Sequence, residues 1–362
     1  MKVNSVKLNN FRNYASSVIN FSDGVNFILG KNAQGKTNLL ESIYLCAISK
    51  SPKTSKEKQM INFNSDNAHV LLDFDTIGGN KTIEIQLNNS NKKIIKVNNI
   101  PILKLTQLIG ELNVVYFSPD ELRLVKETPE DRRHFLDISI SQFDKQYMFD
   151  LIRYDKILKQ RNCVLKSNIS ENNKIEQLKI WTPQLISTAE KIIRKRILFI
   201  ENLKKYSKII YNSIVLGETL DICYSYSQKN DISIFDDLFN QFNLNLKKEL
   251  EMQHTLIGPH RDDIIFKINN QDCRYFASQG QQRTVALTLK LALMEIIKDE
   301  VKEYPVLLLD DVLSELDNSR QERLLSIVKN YQTIITCADM QLQLDGNKIY
   351  INNGEPEYYG RL

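Results

Sequence analysis

The sequence predicts an α/β protein: a head that combines a mixed sheet with an antiparallel β meander, interrupted by an inserted, mainly helical second domain. Three observations predict it. A glycine-containing segment, Gly30-Lys31-Asn32-Ala33-Gln34-Gly35-Lys36-Thr37, lies between a short apolar run, Val25–Leu29, and a helix-forming stretch, Thr37–Ile48. A second apolar run, Val306-Leu307-Leu308-Leu309, ends on two acids, Asp310 and Asp311. Between the two, over residues 131–210, apolar residues recur every three to four positions, the period of an amphipathic helix.

The bulk properties agree with such a protein. At about 150 residues per domain, 362 residues argue for two domains. Apolar residues make up 42% and charged residues 25%, which excludes a disordered or collagen-like chain. The five cysteines form no CxxC pair, and the four histidines have no metal-ligand spacing, so neither a disulfide framework nor a zinc site is expected. The polar N-terminus lacks the apolar core of a signal peptide, and no apolar stretch is long enough to span a membrane. A cytoplasmic protein is expected.

Each element follows in order. Val3–Leu8, Val25–Leu29, Ala68–Asp75, Thr82–Leu87 and Ile94–Val97 read as strands, and the turns Ile77-Gly78-Gly79-Asn80 and Asn88–Asn91 join the later ones into a meander. The period then predicts two long amphipathic helices, over 131–166 and 175–210, with Ser167–Asn173 as the connection of a helical hairpin. Pro183 either opens a helix or kinks one. Thr219–Tyr226 and Ile264–Ile268 read as strands, Thr284–Lys298 as a helix, and Pro305–Leu309 and Thr333–Thr336 as strands buried on both faces. The expected boundaries are a discontinuous head, 1–118 and 250–362, and a helical insert, 119–249.

Net charge is only +4, but residues 151–212 carry fourteen Lys/Arg against five Asp/Glu. A locally basic helical region on a near-neutral chain fits either contact with a polyanion or a solvated lysine-rich face.

The glycine-containing segment fits G-x-x-x-x-G-K-[ST], and chemistry explains the spacing. Successive backbone N–H groups can wrap a β-phosphate, and glycines let the backbone come close. Lys36 reaches the β/γ oxygens, and the Thr37 hydroxyl binds Mg²⁺. Gly30 to Thr37 are thus the expected ATP-binding residues. Asp310, at the end of a buried strand, would hold the Mg²⁺ with Thr37, and Asp311 would orient or deprotonate the attacking water.

A third motif, Ser278-Gln279-Gly280-Gln281-Gln282-Arg283, precedes the helical run and resembles the signature motif of the ABC ATPases. Ser314-Glu315-Leu316-Asp317 resembles that family's D-loop. Further stretches are similar to one branch of it, the RecF family of bacterial recombination mediators. They are Leu8–Tyr14, Tyr116–Leu122, Pro129–Asp137, Gln160-Arg161-Asn162 and Gly258–Asp263. The similarity runs from residue 1 to about residue 340. The chain departs from the pattern at Glu127, where the family usually has glycine. Thr336-Cys337-Ala338-Asp339 offers no switch histidine of the kind transporter ATPases carry. Gln59 lies near the expected glutamine loop.

The resemblance implies an ABC-type P-loop head that binds ATP and Mg²⁺ and dimerises with ATP. Ser278 and Gly280 would reach the γ-phosphate held by a second copy. It also implies DNA binding, work with RecR and RecO to load recombinase at single-strand gaps, replication-fork maintenance and support of the SOS response. Slow, switch-like ATP hydrolysis suits such a role. Candidate DNA contacts are Lys53, Lys56 and Lys58, with Lys50 beside them. Arg132 and Arg133 form a second group, and Lys195, among Lys191, Arg194, Arg196, Lys204, Lys205 and Lys208, a third. Gly258–Asp263 is either a structural turn or part of the nucleotide site. Two other readings stay open: a transporter ATPase subunit, and an ATP-binding scaffold that does not hydrolyse. Asp311, where most ABC proteins have Glu, keeps the last of these in play.

Overall fold

The computed structural model describes residues 1–90, 93–226, 233–338 and 346–357. They form two compact units: 1–121, 213–216 and 287–362 in the first, 122–212 and 217–286 in the second.

The chain begins with β1 (Lys2–Phe11), β2 (Tyr14–Asn20) and β3 (Val25–Leu29), followed by α1 (Lys36–Ile48). Then come β4 (Asn67–Thr76), β5 (Gly79–Asn88), β6 (Ile94–Val97), β7 (Ile100–Pro101) and β8 (Val114–Phe117). The meander is the antiparallel sheet β2-β1-β4-β5-β6-β7. Its strands alternate in burial, as β4 does with Ala68, Val70, Leu72 and Phe74 inward, because one face packs on the core and the other meets water.

The second unit contains α2 (Arg123–Lys126), α3 (Pro129–Ser141), α4 (Lys145–Lys166), α5 (Glu171–Ile214, its last two residues in the first unit), β9 (Leu220–Ser225) and α6 (Ile234–Met252). It also holds β10 (Asp263–Ile268), β11 (Gln271–Asp272) and α7 (Cys273–Phe276). Where one helix was expected over 131–166 there are two. Asp144 caps the second by accepting from Tyr147 N at 2.9 Å, so the chain breaks at 142–144 although the apolar spacing carries across. The 44-residue α5 contains Pro183 in its interior and is roughly 65 Å long at 1.5 Å per residue. The helix α6, capped by Ser233, was not anticipated.

The chain returns to the first unit within α8 (Gln279–Val301), and continues through β12 (Val306–Asp310), α9 (Asn318–Val328), β13 (Thr333–Cys337), β14 (Asn347–Asn352) and β15 (Glu355–Glu357). These build the mixed sheet β15-β14-β3-β13-β12-β8, parallel except for β15. Its central strands β3, β13 and β12 are buried at every residue, which explains their largely apolar sequences.

One expected boundary is corrected. Residues 250–286 group with the helical unit, not with the head. Long-range pairings explain it: β10 is hydrogen-bonded to β9 from Ile268↔Leu220 to Asp263↔Ser225, and Asp263 is ion-paired to Arg132 of α3 at 2.6 Å.

Candidate nucleotide site

The site of the first unit forms at the carboxyl ends of three neighbouring parallel strands, where an open α/β sheet leaves a crevice. β3 delivers residues 30–37, β12 delivers Asp310 and Asp311, and β13, between them, delivers Thr336. Gly30 and Gly35 have φ of +146° and +112°. A Cβ on Gly30 would lie 2.4 Å from the Ile351 carbonyl oxygen, and one on Gly35 2.6 Å from the Asn13 side chain. Neither position tolerates a side chain, and both conformations are disfavoured for L-residues.

The groups the loop presents converge. Lys36 Nζ donates to the carbonyls of Gly30, at 2.6 Å, and Lys31, at 2.9 Å, arching over the loop. Desolvation lowers the Lys36 pKa, against the attraction of Asp311 and Asp310. Thr37 Oγ1 donates to Asp310 Oδ1 at 2.8 Å, and Thr336 Oγ1 donates to the same oxygen at 2.8 Å. Tyr116 OH donates to Asp310 Oδ2 at 3.2 Å. Three hydroxyls therefore orient one buried carboxylate. Asp311 sits in left-handed backbone, φ 50°, its N–H donating to Thr336 Oγ1 at 2.9 Å. Its side chain lines a cavity of about 290 Å³ together with Asn32, Ala33, Lys36, Thr37, Asp310 and Lys53. A pocket of cations, hydroxyls and carboxylates beside a glycine-containing turn can hold a nucleotide polyphosphate.

The stretch Leu8–Tyr14 buttresses this loop. Asn13 Nδ2 donates to Gln34 O at 2.9 Å, and Tyr14 OH donates to Gly35 O at 3.0 Å. Arg12 makes a two-pronged ion pair, 2.9 and 2.6 Å, with the buried Glu41 of α1. From the far end of the sheet, Gly354 N donates to Gln34 O at 3.1 Å. The sequence alone did not assign Arg12, Asn13, Tyr14, Tyr116 or Thr336 to the site. The first four lie in the RecF-like stretches, and Thr336 ends the strand beside the acidic one.

Ser278 and Gly280 lie at the start of α8, and 278–286 belong to the second unit. Ser278 N donates to Gln281 Oε1 at 2.9 Å and Gln281 N donates to Ser278 Oγ at 3.2 Å, a reciprocal cap. Gln281 Nε2 in turn donates to Glu218 Oε1 at 2.9 Å. Ser278 itself is exposed, so this helix start is accessible. Asp339, the last residue of the switch segment, lies outside the described residues.

The DNA candidates separate. Lys56 and Lys58 are exposed; Lys53 is exposed too, but against the phosphate cavity. Arg132 is corrected: its side chain is 1% exposed, paired with Asp263, and donates to Glu127 O at 2.8 Å, so it presents no charge to a ligand. Arg133 is half-buried. Lys195 is ion-paired with Asp144 at 2.5 Å. Its neighbour Arg196 points inward, donating to Tyr147 OH, Pro259 O and Asp137 Oδ1. Gly258–Asp263 forms a turn whose Pro259, Asp262 and Asp263 serve Arg196, Arg133 and Arg132, all within the second unit. Burial raises the Asp262 pKa to about 6 despite those cations.

The sequence pattern of the RecF/RecN/SMC N-terminal domain matches residues 2–352. The DNA replication and repair protein RecF of Clostridium kluyveri is 46% identical over 338 residues, 93% of each chain. The solved structure of the recombination mediator protein RecF-ATP in RecFOR pathway is 34% identical. It covers 99% of this chain and 98% of its own, with a TM-score of 0.91. The corresponding RecF-ATPrS structure has a TM-score of 0.89, covering 98% and 97%. Among the described residues no helix is long and apolar enough to cross a membrane.

Proposed function

Because the chain belongs to the RecF family, within the proteins that carry the RecF/RecN/SMC N-terminal domain, we propose that it is an ATP-dependent DNA-binding protein of recombinational repair. It works in the cytoplasm with RecO and RecR, loading recombinase at single-strand gaps and supporting fork maintenance and the SOS response. The observation that carries the ATP half is the 290 Å³ cavity that joins Lys36 and Thr37 to Asp310 and Asp311. The relatives' structures, of the recombination mediator RecF with ATP or ATPrS in the RecFOR pathway, support ATP binding and the place in recombinational repair.

Residues 30–37 wrap the phosphates with backbone N–H groups, and Lys36 neutralises them. The donor set fits Mg²⁺: one carboxylate, Asp310, held by three hydroxyls of which Thr37 supplies one, leaves room for the waters and phosphate oxygens that this ion prefers. Asp310 and Thr37 would hold the ion, which would supply charge neutralisation for the phosphates when bound. Lys53 lines the same cavity and adds a cation in cis. Asp311 orients the attacking water. Replacing it by Asn should leave ATP affinity nearly intact and slow phosphate release by at least about 10²-fold. Unchanged single-turnover hydrolysis would remove Asp311 from that role. A wild type that binds ATP yet releases no phosphate, with or without DNA, would favour the scaffold reading.

Ser278 and Gly280 act in trans, on a nucleotide held by a second copy, so ATP closes a homodimer on DNA. Lys56 and Lys58 contribute to the DNA-facing charge. The test is Ser278→Arg. ATP affinity of the monomer should stay within about threefold of wild type, while ATP-dependent dimerisation, read by light scattering, and hydrolysis are lost. Loss of monomeric ATP binding, or a normal ATP-dependent dimer, would overturn the trans arrangement.

A further inference from the structure

The second unit contains a cavity of about 490 Å³, larger than the nucleotide site and made only from its own elements. Its walls come from α3, α4, Arg196 of α5 and the 259–260 turn, with Leu151, Tyr154, Leu158, Pro259, His260 and Arg133 among its lining. Two stretches that the nucleotide site leaves unused, Pro129–Asp137 and Gly258–Asp263, meet here. The volume lies within the usual range of ligand pockets.

Its charges are unevenly matched. Asp137 accepts from Arg196 Nη2 at 2.8 Å and from Tyr147 OH at 2.7 Å. Asp155 accepts from Lys159 at 2.6 Å. Arg133 has no such partner among the described residues: its guanidinium donates one hydrogen bond, to Asp262 O at 2.9 Å. Burial first, and then the neighbouring Arg196, disfavour its charge, against the attraction of Asp263, Glu130 and Asp262. Lys156 stands exposed on the rim, and so does Ile152, a large apolar side chain 41% exposed. A half-buried guanidinium that no carboxylate engages in a hydrogen-bonded ion pair among the described residues, set against aliphatic walls, is the complement of a carboxylate on an apolar segment.

The geometry points to a docking site for an acidic, partly apolar peptide segment of a partner protein. An aspartate or glutamate would pair with Arg133, and an adjacent leucine or phenylalanine would lie against Leu151, Ile152 and Leu158. Nucleic acid fits less well. A phosphate backbone asks for several cations along an exposed track, whereas here one guanidinium is recessed and Glu130 sits on the rim.

The test uses the full-length protein and a fluorescein-labelled, capped pentapeptide of alternating aspartate and leucine, followed by anisotropy. The wild type should bind it, and should not bind the same peptide with lysine for aspartate. Arg133→Ala should weaken binding by about tenfold or more. Ile152→Asp should do likewise, without touching a buried hydrogen bond, which keeps the test open if the arginine variant folds poorly. ATP affinity, read in parallel, should be unchanged in both. No binding of the aspartate peptide by wild type, or equal binding by Ile152→Asp, would overturn the proposal. So would displacement of the peptide by a single-stranded oligonucleotide whose own affinity falls with both variants, which would make this face a nucleic-acid site.

Discussion

Lys36→Ala is expected to weaken ATP binding by about 30-fold or more and to abolish the ATP-dependent dimer, because truncating one partner of a desolvated charge pair costs about 2–5 kcal/mol. Lys36 is the cation the loop is built around. Its ammonium already bridges the Gly30 and Lys31 carbonyls, and Asp310 and Asp311 both favour its charge. In the proposed role, a triphosphate in the cavity would draw that ammonium from the two carbonyls to its β/γ oxygens. Lys36→Arg keeps the charge but not the shape, since a guanidinium fork is planar and longer, so it should recover binding only in part. Calorimetric titration of ATP into the three proteins checks this. An alanine variant within threefold of wild type would mean that backbone N–H groups alone hold the nucleotide.

Arg161→Ala is expected to destabilise the second unit by about 3–5 kcal/mol, a large share of an ordinary domain's stability. The Arg161 side chain is 1% exposed and that of its partner Glu249 is 0% exposed, with 2.5 Å between them. Arg161 also donates to Thr255 Oγ1 at 2.8 Å and lies 4.7 Å from the Phe242 ring centroid. Removing it leaves a carboxylate buried with, among the described residues, only the Leu256 N–H, 2.7 Å away, hydrogen-bonded to it. The only tryptophan, Trp181, packs against the buried Val164, Leu165 and Leu178 and reports this unit specifically. Its fluorescence in urea gives the shift in midpoint. Replacing the pair together, Arg161→Met with Glu249→Leu, should restore most of the loss, since two apolar groups leave no orphaned charge. If the single variant unfolds at the wild-type midpoint, the pair contributes nothing net.

Both residues lay within recognisable stretches of sequence, yet they were legible to different degrees. Lys36 could be given an expected role because its motif is local: eight consecutive residues between a strand and a helix carry the pattern. The central strands could be read for a similar reason, since a strand buried on both faces is apolar at most of its positions. Arg161 and Arg132 look in sequence like any surface cation. Their partners, Glu249 and Asp263, are 88 and 131 residues away, and no local pattern reveals that folding buries the pair. The break at 142–144 was hidden because apolar spacing continues through it, while Asp144, a good helix start, stops the helix before it.

What the sequence determined by itself was everything carried by neighbours along the chain: the phosphate loop, the acidic strand end, the meander, the helical middle and the resemblance that names the family. What only the tertiary structure decided was how distant residues share one environment. Three hydroxyls from three elements, Thr37, Tyr116 and Thr336, orient Asp310. Residues 250–286 join the helical unit because β10 pairs with β9. The basic residues divide into buried ion pairs and exposed lysines according to the carboxylates that folding brings beside them. The physical reason is the same in each case. Backbone propensity and hydrophobic period act over a few residues, whereas the burial of a charge depends on where its counter-charge arrives, which the chain settles only when the whole unit closes.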